Sequence, residues 1–236
     1  IASTTDKPVQ SAALEPNALE KEMQFILQSA ASYLTLKPSR KDVLSILAGL
    51  RPLAATKEKG NDTKEISRSH KIIVSPSKLF TIIGGKWTTY RKMGEEMIDK
   101  IENELHWNST ASITSSLHIH GYSNTTDIKD PLYFYGSDEA AIKNLISKTG
   151  DVWISDILCI HKAQVIWAIR EEMAMTIEDI LSRRTRAILL DAKESLHIAS
   201  VVAEIMAEEM NKDQIWIEEQ VKAFNKVAKN YVINEA

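Results

Sequence analysis

The 236-residue chain holds a single cysteine, Cys159. No disulfide can form within it, and one thiol fits a reducing compartment. Neither charge sign is in excess: the net charge is -3 and the pI about 6.1. Nucleic acid is therefore not an expected partner, because no basic surplus exists to meet a phosphate backbone. No apolar run approaches the ~20 residues that a membrane span needs. No leader pattern, internal repeat or low-complexity tract is visible. What is present is ordinary for a globular protein: 44% hydrophobic and 26% charged residues, enough for one large domain or two small ones. The chain starts at Ile1, mid-pattern, and the expectation is a piece of a longer protein.

Hydrophobic spacing orders the chain into two units. Residues 1–17 read as irregular. Asn17 with Glu20 has capping-box spacing and predicts a helix ended by Pro38, with Leu19, Met23, Ile26, Leu27, Ala30, Tyr33 and Leu34 on one face. Val43–Leu50 has strand length. Lys71–Val74 and Leu79–Ile83 flank Ser75-Pro76-Ser77-Lys78 and predict a hairpin. A helix follows from about Thr88 to His106, striped by Tyr90, Met93, Met97, Ile101 and Leu105. Residues 108–130 are rich in Ser, Thr and Asn and read as a linker, with Leu117–His120 a candidate short strand. Residues 131–236 read as a helical bundle. Its segments are Ser137–Thr149, His161–Met175, Thr176–Arg184, a helix opened by Asp191 and Glu194, and a last one carrying Ile217, Val221, Phe224, Ala228 and Tyr231.

The chemistry centres on Ile82-Ile83-Gly84-Gly85-Lys86-Trp87-Thr88-Thr89-Tyr90-Arg91. A strand, two glycines and a helix start present backbone N–H groups and a positive dipole end to an anion or electron-rich ligand. Arg51, Arg68 and Lys86 each sit at the end of a predicted strand and could converge on a phosphate or carboxylate, and Arg91 lies nearby. From spacing alone, an ordinary surface or salt-bridging cation is the stronger reading of any one of them. Thr88 and Thr89 read equally as helix caps and as residues whose amides meet a ligand. His118-x-His120 lacks the carboxylates and thiols of a zinc site, and no metal is expected. Arg183, Arg184 and Arg186 read as a salt-bridge hub.

Several blocks, in order, resemble the FAD-dependent glycerol-3-phosphate dehydrogenases. They are Thr4-Thr5-Asp6, Ala48-Gly49-Leu50-Arg51-Pro52-Leu53, Ile66-Ser67-Arg68-Ser69-His70 and Ile83–Arg91. Further along they are Ala168-Ile169-Arg170-x-Glu172-Met173-Ala174, Glu178-Asp179-x-Leu181-x-Arg183-Arg184-Thr185-Arg186 and Leu189-Leu190-Asp191-Ala192. The resemblance implies an α+β architecture. Residues 1–107 are the C-terminal part of a D-amino-acid-oxidase-like FAD/substrate domain, 108–130 a linker and 131–236 an all-helical domain.

It further implies oxidation of sn-glycerol 3-phosphate to dihydroxyacetone phosphate, with FAD as cofactor and quinone or oxygen as final acceptor. Arg51, Arg68 and Lys86 match substrate-binding positions. Gly84, Gly85, Lys86, Thr88 and Thr89 match the segment facing the flavin. The family's Gly-x-Gly-x-x-Gly fingerprint is absent from this chain, and Ser3 stands where a glycine often precedes Thr-Thr-Asp. The chain is therefore expected to be inactive alone, its catalytic base lying in a missing N-terminal part. The expected location is the cytoplasm, with a peripheral membrane contact and a homodimer left open. The alternative is a non-catalytic helical interaction or assembly module derived from the same family.

Overall fold

The computed structural model describes residues 1–3, 5, 7, 9–50 and 69–233. The chain divides into two compact units. One comprises Ile1–Thr5, Ala13–Gly49 and His120–Ala236, the other Asp6–Ala12 and Leu50–Ile119.

In the larger unit, α1 (Glu20–Ala31) starts at Leu19 rather than Asn17. The Glu22 carboxylate accepts the Leu19 N–H at 3.3 Å, and this is half of a capping box only, since the Leu19 side chain has no acceptor to return the bond. The helix stops at Ala31, before Pro38, where Ser32 donates its N–H back to the last turn. Residues 43–50 are extended but form no strand. Their polar groups serve helix ends instead. The Ser45 hydroxyl donates to the Ile188 carbonyl at 2.8 Å and accepts the Ala192 N–H at 2.7 Å. The Ile46 N–H reaches the Tyr231 carbonyl at 2.9 Å.

The core is built on α6 (Ala192–Met210), whose buried positions include Ser195, Ile198, Ala199, Val202, Ala203 and Met206. Asp191 caps it by accepting the Glu194 N–H at 3.0 Å, and Asn211 ends it in the left-handed conformation. Around it pack α4 (Lys162–Arg170), α5 (Ala187–Leu190) and α7 (Gln214–Ala228). α3 (Glu139–Thr149) packs on α4. Fully buried Ile160, Ile166, Ile180, Leu181 and Phe224 fill the interior, each contributing roughly 1.5–3 kcal/mol by leaving water.

Two expectations for this unit are corrected. It is not all helix: a small antiparallel sheet, here called β3 (Trp153–Ser155) and β4 (Ile160–His161), precedes α4. The segment expected as one helix from His161 to Met175 ends at Arg170, because Met173 turns left-handed (φ 59°) and the Ala174 N–H folds back to the Ala168 carbonyl. Next, Asp179–Arg184 form a π-helical turn. Thr176 and Asp179 cap it reciprocally, and the Thr185 N–H bonds Ile180 five residues back.

The smaller unit holds the hairpin of β1 (His70–Val74) and β2 (Phe80–Gly84), in antiparallel register from His70↔Gly84 to Val74↔Phe80. Lys78 takes a left-handed φ of 61° in the turn. A 3-10 turn, Trp87–Thr89, leads into α2 (Tyr90–Leu105). Leu117–His120, expected as a short strand, forms none: 117–119 are irregular and His120 opens a turn. Among the described residues no sheet exceeds two strands, so they do not themselves form an FAD-binding domain.

Candidate functional site

The glycine turn sits where β2 hands the chain to α2. Gly84 and Gly85 both take positive φ, 73° and 89°. Gly85 is doubly constrained. A β-carbon there would lie 2.6 Å from the Met93 thioether and 3.2 Å from the His70 β-carbon. Only glycine combines this backbone with that approach. Lys86 then returns to an extended conformation and its carbonyl accepts both the N–H and the hydroxyl of Thr89 at 3.0 Å. The Thr89 hydroxyl thus bonds backward. The Tyr90 N–H is taken by the Trp87 carbonyl. Among the described residues the N–H groups of Trp87 and Thr88 have no acceptor. From Lys86 to Tyr90 every residue is exposed. The rings of Trp87 and Tyr90 lie 5.7 Å apart.

The basic residues differ in how they are employed. Arg91 is held by Glu95 at 2.5 Å and donates to the Thr114 hydroxyl at 3.1 Å. Lys92 takes the other oxygen of Glu95, also at 2.5 Å. Hydrogen bonds from Lys92 and Arg91 hold the Glu95 carboxyl down to about 2. The Lys86 ammonium has neither a hydrogen bond nor an ion pair among the described residues. Of the residues singled out from the sequence, the structure brings Gly84, Gly85, Lys86, Thr88 and Thr89 onto one exposed turn. Arg51 and Arg68 lie outside the described residues.

A second cluster belongs to the larger unit. A cavity of about 310 Å³ is lined by Phe134, Tyr135, Glu172, Arg183 and Arg184. Its cations are committed. Arg183 pairs with Glu178 at 2.5 Å and Asp179 at 2.9 Å, and Arg184 donates to the Glu172 carbonyl while lying 3.8 Å from both the Glu172 and Asp179 carboxylates. Arg183 and Arg184 form a salt-bridge hub, while Arg186 has no ion pair among the described residues. Burial pushes the Glu172 carboxyl up, and Arg184 offsets part of the shift. His120 pairs with Asp138 at 2.7 Å. Among the described residues no three metal-ligating side chains gather.

Two groups carry weight that spacing did not reveal. His161 is completely buried, and its Nδ1 caps α4 by accepting the Ala163 N–H at 2.9 Å. Its Nε2 lies 3.2 Å from Asp151. His70 reaches Glu96 at 2.7 Å. Both partners come from separate elements, so no local motif could announce them.

Residues 77–215 match the model of the C-terminal domain of alpha-glycerophosphate oxidase. The chain is 32% identical to the mitochondrial glycerol-3-phosphate dehydrogenase of Bos taurus over 96% of its own length and 34% of the relative's. It is 31% identical to that of Schizosaccharomyces pombe over 90% of its length and 41% of the relative's. The chain thus spans between a third and two fifths of these relatives. Among solved structures, the glycerol-3-phosphate dehydrogenase from Bacillus halodurans, complexed with FAD, superposes with a TM-score of 0.70 at 22% identity, over 97% of this chain and 48% of that one. Its fold is shared. Since more than half of the chain matches the family model, the chain belongs to the family of C-terminal domains of alpha-glycerophosphate oxidase.

Proposed function

We propose that this chain serves in a flavin-dependent glycerol-3-phosphate dehydrogenase, supplying one wall of the site through the turn Gly84–Thr89. The carrying observation is Lys86, exposed and with its ammonium unpaired among the described residues, on a turn that glycine conformation and Met93 hold in place. The site residues fit the edge of a flavin ring. Two N–H groups without acceptors among the described residues stand at the start of α2, and no β-carbon at Gly84 or Gly85 obstructs a flat ligand. FAD, when bound, supplies the two-electron acceptor. The protein's part is to orient the ring, to place N–H dipoles where negative charge accumulates on it, and to bring Lys86 to an anionic substrate group.

In this reading residues 1–107 are the part of the FAD/substrate domain carried here, and Arg51 and Arg68 join Lys86 on the substrate phosphate. Electrons pass on to a quinone, and the chain alone is inactive. The cytoplasmic location remains part of the proposal, although the relatives above bear mitochondrial names. No helix among the described residues is long and apolar enough to cross a membrane.

A second reading, a helical interaction or assembly module, draws support from the larger unit, which has a complete core of its own. The two readings separate in the natural full-length protein. Lys86→Ala and Arg68→Ala each remove a charge-assisted contact of roughly 1.5–3 kcal/mol, so kcat/KM for sn-glycerol 3-phosphate is expected to fall about one to two orders of magnitude. Unchanged kinetics in both variants would leave the module reading.

A further inference from the structure

Little joins the hairpin to α2. Among the described residues, two side-chain pairs do so: Lys78 with Glu104 at 3.2 Å, and His70 with Glu96 at 2.7 Å. The first ties the far tip of the hairpin to the end of α2. The second lies beside the glycine turn. His70 opens β1 directly opposite Gly84 in the register, and its β-carbon would stand 3.2 Å from a β-carbon at Gly85. Glu96 sits two turns inside α2, and Met93, one turn earlier, packs under Gly85.

With its proton on Nε2, His70 donates to the Glu96 carboxylate across the gap between strand and helix. The opposite carboxylate oxygen of Glu96 lies 4.0 Å from Lys92, which is already committed to Glu95. Two elements connected by the three residues Gly84 to Lys86, two of them glycines, need a lateral tie to fix their angle. That angle decides where the Trp87 and Thr88 N–H groups and the Lys86 side chain point.

We infer that His70 and Glu96 form a positioning brace that sets the glycine turn for its ligand. Neither residue touches the ligand. The inference deepens the proposed function and rests on its assignment of the turn to the flavin.

The test uses the natural full-length protein, with amide exchange across residues 85–90 read by mass spectrometry. His70→Ala and Glu96→Ala are each expected to speed exchange about tenfold, the effect of one hydrogen bond of about 1–1.5 kcal/mol. The double variant should go no further than either single one, because the two residues act as a pair. Glu96→Gln keeps an acceptor and should stay near the parent rate. Lys78→Ala, which cuts the distal tie, should leave the turn unchanged. Additive single effects, no effect, or an equal effect of Lys78→Ala would overturn the brace. The flavin reduction potential separates the two layers of the argument. Glu96→Ala should make it more negative and Glu96→Gln should restore it. A turn that loosens with no change in potential supports the brace and overturns the placement of the flavin.

Discussion

Residues 120–233 and residues 69–119 are folded on different terms. The former bury a contiguous apolar interior around α6, with Ile177, Ile180 and Leu181 wholly withdrawn from solvent. In the latter, no residue is buried: Phe80, Ile82, Met93, Met97 and Ile101 reach only partial cover, while Trp87 and Ile98 stay exposed. An amphipathic helix and a two-stranded hairpin have made their backbone bonds without completing a core, and two strands alone are marginal in water. The difference teaches that the helical unit is held by packing, whereas residues 69–119 leave Lys86–Thr89 exposed.

The comparison can be broken first at Gly136. Its φ is 56°, and a β-carbon there would fall 1.8 Å from the Gly121 carbonyl oxygen, which already accepts the Ser137 N–H. Gly136→Ala is expected to cost about 3 kcal/mol or more, because backbone must move. A denaturant midpoint unchanged by the substitution would contradict the packing described for the larger unit.

Next come matched truncations. Ile166→Ala, at a position 1% exposed, should destabilise by roughly 2–5 kcal/mol. Ile98→Ala, 54% exposed, should change stability by less than ~0.5 kcal/mol. Equal effects in chemical denaturation would erase the distinction between the units.

A pH scan sharpens it further. Burial holds the His161 imidazole below its ordinary value of 6.5, with Asp151 offsetting part of the shift. As pH falls, the unfolded chain therefore takes up this proton before the folded one does. The His161 contribution is complete above 6.5 and is lost as pH falls from there through the lowered folded value. Protonation also turns Nδ1 from an acceptor into a donor facing the Ala163 N–H. His161→Asn, a non-titrating cap, should flatten this part of the curve, followed as melting temperature from pH 8 to 5. Gly85→Ala should cost about 1–2 kcal/mol from the left-handed backbone, with Met93 able to swing aside. Its consequence for ligand binding should exceed its consequence for stability.

Local signals in the sequence were strong where one element decides its own shape. The hairpin at 71–83, the stripe of α2, the Asp191 cap and the Thr176–Asp179 pairing are all written within a few residues. Tertiary demands hid the rest. Val43–Leu50 has the composition of a strand, but Ser45 and Ile46 bond the ends of distant helices. The β3–β4 hairpin is too short for a periodic signal and is stitched by His161 and by Ser155, whose hydroxyl donates to Glu194 at 2.6 Å. The tight glycine turn was legible because φ > 0 and close approach restrict residue choice. The contact of Arg91 with Thr114 was not, since the two lie far apart in the chain and meet only in three dimensions.

Hydrogen exchange tests the central claim most directly, comparing the 236-residue chain with the FAD-loaded full-length protein. Residues 82–98 are predicted to exchange quickly in the former and at least about tenfold more slowly in the latter, while α6 is equally protected in both. Equal protection of residues 82–98 in the two samples would contradict the claim that the glycine turn is a ligand-facing wall.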